Sequence, residues 1–94
     1  MKDAIELRGF MWLTDLFRER NWPNPYHFHI TGKLTGEQLL AMLDIPKEKV
    51  EGIFVNGRVS PVQFTLINPG DRVALLPPGT PGPYRVLLGI RSIR

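Results

Sequence analysis

His27 and His29 stand two apart in the alternating stretch Tyr26-His27-Phe28-His29-Ile30. In an extended strand both imidazoles point to one side, a spacing that can offer two nitrogens to a metal. A protein metal site asks for three or four donors; the chain has no cysteine, and no third ligand is identifiable. The pair is explained more simply as the solvated face of a half-buried strand. Asp15 with Glu19, and Asp44 with Glu48, can be cast as paired carboxylates, but nothing around them frames a pocket, and surface solubility explains them at least as well. Ser60 and Ser92 lack a histidine at a suggestive position, so no nucleophile and base pair is legible. The expectation is a protein that is not an enzyme, with no metal site and no cofactor of its own.

The elements that must position these residues are easier to read. Ile5 and Leu7 alternate with Glu6 and Arg8, which predicts a first strand with one face on the core. Leu13, Leu16 and Phe17 shift to helical spacing, so a short helical turn is expected between Phe10 and Arg20. Pro23 and Pro25 end it, and Tyr26, Phe28 and Ile30 predict a second strand. Thr35, followed three residues later by Gln38 and then Leu39, Leu40, Met42 and Leu43, is a capping-box helix start. That helix, about 35–44, should stop near Asp44 because Ile45-Pro46 disfavours continuation. Val50, Ile53, Phe54 and Val55 predict a third strand, and Asn56-Gly57 supplies the positive φ angles of a tight hairpin. Pro61 makes the returning stretch, 59–66, a short edge strand or an irregular one. Asn68-Pro69-Gly70-Asp71 fits a type II turn, and Arg72-Val73-Ala74-Leu75-Leu76 should be an interior strand covered on both faces.

Set side by side, with the last strand beside the first and one main helix across one face, these elements predict an α+β, ubiquitin-like β-grasp with a mixed sheet of four to five strands. One domain over 1–94 is expected, with 79–94 as a divergent tail or extra strand. The composition agrees: 43% hydrophobic and 22% charged residues describe an ordinary folded domain, and 9 prolines and 9 glycines fall between elements rather than in a low-complexity tract. A net charge of +3, spread over the chain rather than in a basic stripe, disfavours nucleic acid as the partner. No apolar run reaches the ~20 residues of a membrane span, and the start has no signal-peptide order, so a cytoplasmic location is expected.

Three stretches, Val55-Asn56-Gly57-Arg58, Gly70-Asp71-Arg72-Val73-Ala74 and Leu76-Pro77-Pro78, resemble the ubiquitin-like sulfur carriers of the MoaD/ThiS type, which serve molybdopterin and thiamine biosynthesis. The resemblance covers nearly the whole chain in element order. It implies a protein partner, an adenylating or sulfur-transfer enzyme or a pterin-cofactor enzyme, docked on the sheet face opposite the helix. It also implies a C-terminal Gly-Gly whose carboxylate is adenylated and then becomes a thiocarboxylate. Glycines suit that end because a backbone without Cβ passes a narrow channel.

Here the chain departs from the pattern: Gly79-Thr80-Pro81-Gly82-Pro83 and Tyr84 to Arg94 follow, without a diglycine. Three readings stand open. Tyr84 to Ile90 can be an extra strand or apolar arm that blocks the usual chemistry. The chain can be cut after Gly82 or Gly89 to expose a carboxylate, Gly89 being favoured because the bond after Gly82 is Gly-Pro. Or Pro81 and Pro83 can stiffen a tail that delivers Val86, Leu87 and Leu88 to a partner's sheet. The candidate residues are therefore Gly79, Gly82 and Gly89 in the tail, and Phe54, Arg58, Phe64, Arg72, Tyr84, Val86 and Leu88 for partner binding. Phe10, Trp12, Trp22 and Tyr26 can complete a small core or form an exposed patch. A second resemblance, to the TGS-like β-grasp modules, rests on the same Val-Asn-Gly turn and Gly-Asp and implies a regulatory module that binds RNA or a protein; steep weakening by salt would mark RNA binding.

Overall fold

The computed structural model of the chain describes residues 3–79, so Gly82, Tyr84, Val86, Leu88 and Gly89 lie outside the described residues. The elements run β1 (Ala4–Gly9), α1 (Leu13–Glu19), β2 (Tyr26–His29), β3 (Leu34–Thr35), α2 (Gly36–Leu43), β4 (Gly52–Val55), β5 (Arg58–Pro61), β6 (Leu66–Ile67) and β7 (Arg72–Leu76). Five strands form one sheet in the order β2-β1-β7-β4-β5, and β3 pairs with β6 in a small second sheet. β1 and β7 run parallel, with Leu7 opposite Val73, while the other neighbours are antiparallel. This is the mixed sheet and helix of the α+β β-grasp that the sequence predicts. No helix among the described residues is long and apolar enough to cross a membrane.

Local chemistry accounts for the joints. Thr35 caps α2 in full: its hydroxyl accepts from the Gln38 amide at 3.1 Å, and the Gln38 side chain accepts from the Thr35 amide at 2.9 Å. The helix closes on Asp44, in the left-handed region at φ 57°, and the Ile45 amide reaches back to the Leu40 carbonyl. Arg20 fixes this end from outside the helix. It donates to the carbonyls of Leu43 and Asp44 and stacks over the Trp22 ring at 4.9 Å.

The core lies between the sheet and the helices. Ile5, Leu7, Ile53, Val73 and Leu75 point from the sheet toward Leu39, Leu40 and Leu43 of α2 and Leu13 and Phe17 of α1. Gly36, the first residue of α2, allows the closest approach. A Cβ there would sit 2.5 Å from the Val62 carbonyl oxygen and 2.9 Å from Ile53.

Two expectations need correcting. β7 is not covered on both faces along its length: Val73 and Leu75 are buried, but Arg72 is exposed and Ala74 half-buried on the other side, and full burial returns only at Leu76. An unbroken apolar run led to the two-sided reading, and alanine in it is small enough to sit on an open face. The returning stretch after the hairpin is two short strands rather than one. β5 pairs with β4 at the sheet edge, a 3-10 turn over Val62–Phe64 follows Pro61, and β6 then crosses to β3.

Candidate docking surface and the tail exit

Strand register sorts the side chains. Cross-strand partners share a face, so Arg8, Ala74, Phe54 and Val59, paired in sequence across β1, β7, β4 and β5, form one row on the side away from α2. The adjoining row holds His27, Glu6 and Arg72. Phe10, just past β1, meets Phe54 edge to face with ring centres 6.0 Å apart. Together Glu6, Arg8, Phe10, Phe54, Gly57, Arg72 and Ala74 line a shallow, mainly apolar concavity of about 310 Å³. Arg8 and Glu6, two residues apart on β1, pair at 3.0 Å beside it.

The turns at its rim are tied together. Asn56, at φ 52°, turns the β4–β5 hairpin with Gly57 at φ 89°. Its side-chain nitrogen donates to Asp71 Oδ1 at 3.0 Å, and its side-chain oxygen accepts from the Arg72 amide at 2.9 Å. The other Asp71 oxygen accepts from the Asn68 amide at 2.8 Å, and the Asp71 amide closes the Asn68 to Asp71 turn at 3.1 Å, with Gly70 at φ 93°. Asn56-Gly57 and Gly70-Asp71 are thus one lock. It fixes the register of β4 against β7, which aligns Phe54 with Ala74.

At the other end of the face the chain leaves the sheet. After Pro77 it turns at Pro78 and Gly79, with Gly79 at φ 84°. Trp12, 51% exposed, lies against this turn; its ring is 3.4 Å from where a Gly79 Cβ would stand.

The structure divides the predicted residues. Phe54 and Arg72 share the outer face. Arg58 does not, because its partner is Val55, which packs against the core, so Arg58 stands on the helix side of the sheet at its edge. Phe64, 73% exposed, belongs to the 3-10 turn between β5 and β6. Gly79 is at the tail exit. The early aromatics split as well: Trp22 stacks on Tyr26 at 5.0 Å and both pack on the core, whereas Phe10 and Trp12 face outward. His27 and His29 sit exposed on the outer side of β2, His29 with Asp3 at 3.9 Å, and no group of three potential metal ligands gathers among the described residues. Sequence reasoning left Phe10 and Trp12 between the core and an exposed patch, and did not single out Arg8, Glu6 or Ala74 for the docking face. For Glu6 and Arg8 the signal was their alternation with Ile5 and Leu7.

Compared with known families, residues 25–82 match the model of the ThiS family. No curated protein and no solved structure matches the chain. The matched span runs from β2 through the hairpin lock to the tail exit, more than half of the chain, and it contains the motifs whose geometry is given above. By its β-grasp sheet and this match, the chain belongs to the ThiS family of ubiquitin-like, sulfur-carrier-like proteins.

Proposed function

We propose that this chain is a non-enzymatic, sulfur-carrier-type protein of molybdopterin, tungstopterin or thiamine biosynthesis that acts by docking. Residues 1–94 form one β-grasp unit with 79–94 as its tail. The outer sheet face seats on an adenylating or sulfur-transfer enzyme, or on a pterin-cofactor enzyme, in the cytoplasm. One observation carries the reading: the apolar centre of Phe10, Phe54 and Ala74 lies on the face that α2 does not cover, flanked by Arg8 and Arg72 and continuous with the tail exit at Gly79. An apolar centre with a charged rim is how protein interfaces gain affinity and orientation together. Thiocarboxylate chemistry needs a glycine carboxylate, and residues 77–94 hold no Gly-Gly. Gly89 and Gly82 are the positions where cleavage would create such an end. Uncut, the chain serves as a binding module.

Two measurements test this. Titrated against the adenylating enzyme of its own cells, Phe54→Glu should weaken binding about tenfold or more, as for a central interface residue. Arg58→Ala, on the other side of the sheet, should leave binding unchanged. Equal loss from both variants, or binding that collapses steeply with salt as phosphate contacts do, would count against the reading. Intact-mass spectrometry of the native protein separates the two modes. A species ending at Gly89 or Gly82 and ~16 Da heavier than its carboxylate form marks the carrier, since sulfur replaces oxygen.

A further inference from the structure

We propose that β2 is a pairing edge: two copies of this chain join β2 to β2, antiparallel, into one continuous sheet with both docking faces on the same side. This pairing is independent of what the outer face binds.

Backbone accounting identifies the edge. Toward β7, β1 uses its even-numbered residues: the Glu6 amide donates to the Asp71 carbonyl, the Phe10 amide donates to the Leu75 carbonyl, and the Ala4 carbonyl accepts from Gly70. Its odd-numbered residues therefore face β2. There the Asp3 carbonyl accepts from the Ile30 amide, and Ile5 and Leu7 stand opposite Phe28 and Tyr26. The amides and carbonyls of His27 and His29 are left pointing away from the sheet, and β2 is its outermost strand on that side. Among the described residues no hydrogen bond reaches these groups.

The two edges of the sheet are unlike. At the far edge, β5 ends in Pro61, which has no N–H, and its carbonyl already accepts from the Thr65 hydroxyl at 2.7 Å. Such features keep a further strand from adding. Tyr26–His29 has no proline, lysine or bulge, so the β2 edge is open.

Self-complementarity selects a second copy of this chain as the occupant. With Phe28 opposite Phe28 of the second copy, His27 of each chain faces His29 of the other. Each such pair exchanges both of its N–H and C=O groups. Tyr26 then falls opposite Ile30 of the second copy, so the apolar side of the seam is built from aromatic and β-branched pairs, which favour strand pairing. A register centred on His27 is poorer, because it sets Pro25, without an N–H, opposite His29. The apolar side of β2 is already a row of rings, with Trp22 and Tyr26 centred 5.0 Å apart and Tyr26 and Phe28 5.8 Å apart. Tyr26 and Phe28 are only half-buried at the open edge, and pairing covers them. The two-fold axis of an antiparallel strand pair stands perpendicular to the sheet. Phe10, Phe54 and Ala74 of both copies thus open to one side, where a partner with two sites gains avidity.

Sedimentation equilibrium of the full chain alone should show the mass rising from one chain toward twice that between about 10 μM and about 1 mM. Over the same range, hydrogen exchange at the His27 and His29 amides should slow by about tenfold or more. The Phe28 amide, on the side paired with Ile5, stays slow throughout. His29→Pro removes an outward donor without touching a bond to β1. The double variant His27→Lys with His29→Lys sets like charges face to face across the seam, and both histidines are exposed, so the fold does not rest on them. Both variants should remain at the mass of one chain, whereas Phe54→Glu on the docking face and Phe64→Ser on the 3-10 turn should dimerise as before. Four outcomes overturn the proposal: one-chain mass at the highest concentration, a dimer that survives the double-lysine change, a dimer lost in Phe54→Glu or Phe64→Ser, or fast exchange of His27 and His29 in the doubled species.

Discussion

On the helix side of the sheet, Ile5, Leu7, Ile53, Val73 and Leu75 are each exposed by 1% or less beneath α2 and α1. On the opposite side, the residues between them, Glu6, Arg8, Phe54, Arg72 and Ala74, stay half-buried or exposed. The same strands supply both sets. Because side chains alternate, one face can carry nearly all the folding energy while its neighbours stay free for recognition. Stability and docking are therefore separable by single substitutions one residue apart, and the pair Leu75 and Ala74 makes the sharpest contrast.

The largest effect should come from Leu75→Ala, which leaves a cavity under α2 and should cost about 2–5 kcal/mol in urea unfolding. The neighbouring Ala74→Glu should shift stability by no more than about 0.5 kcal/mol while abolishing partner binding. Comparable destabilisation by both would erase the distinction between the faces. Next is Gly36→Ala on the helix side. Its Cβ would strike the Val62 carbonyl oxygen at 2.5 Å, a backbone atom that cannot swing aside, and overpacking of this kind costs about 1–3 kcal/mol. A smaller loss, about 1–2 kcal/mol, is expected of Asn56→Gly. Glycine keeps the positive φ but removes the amide that joins Asp71 and Arg72. Combined with Asp71→Ala, the two losses should be less than additive, and strict additivity would show that the lock does not act as a unit. Thr35→Ala should cost about 1 kcal/mol through the lost N-cap alone, with binding unchanged, because the cap lies on the helix side.

Features that need only a few consecutive residues were legible in the chain: the Thr35 and Gln38 cap, the Asn56-Gly57 hairpin, the Asn68 to Asp71 turn and the alternation of β1. Each is decided by local sterics or a local hydrogen bond. The docking face was legible only in part. Phe54 and Arg72 were picked out, but Arg58 was placed with them and stands on the other side. Which face a strand residue occupies depends on its register with a strand far away in sequence, and a shift of one residue reverses it. Phe10 and Trp12 were taken together with Trp22 and Tyr26 because they are close in sequence. The turn after β1 sends the first two outward, whereas Trp22 meets Phe17 edge to face and stacks on Tyr26 against the core.

The kinds of elements, their order and the kinship with sulfur carriers can be read from the chain alone, since these follow from periodicity, turn chemistry and short motifs. The three-dimensional packing was needed to show that the Asn-Gly and Gly-Asp motifs form a single hydrogen-bonded lock, that Phe10 and Phe54 meet on the uncovered face, and that Gly79 turns against Trp12. Those facts depend on contacts between residues 15 to 67 positions apart in the chain. Such contacts are set by the packing of the whole sheet, which no local pattern encodes.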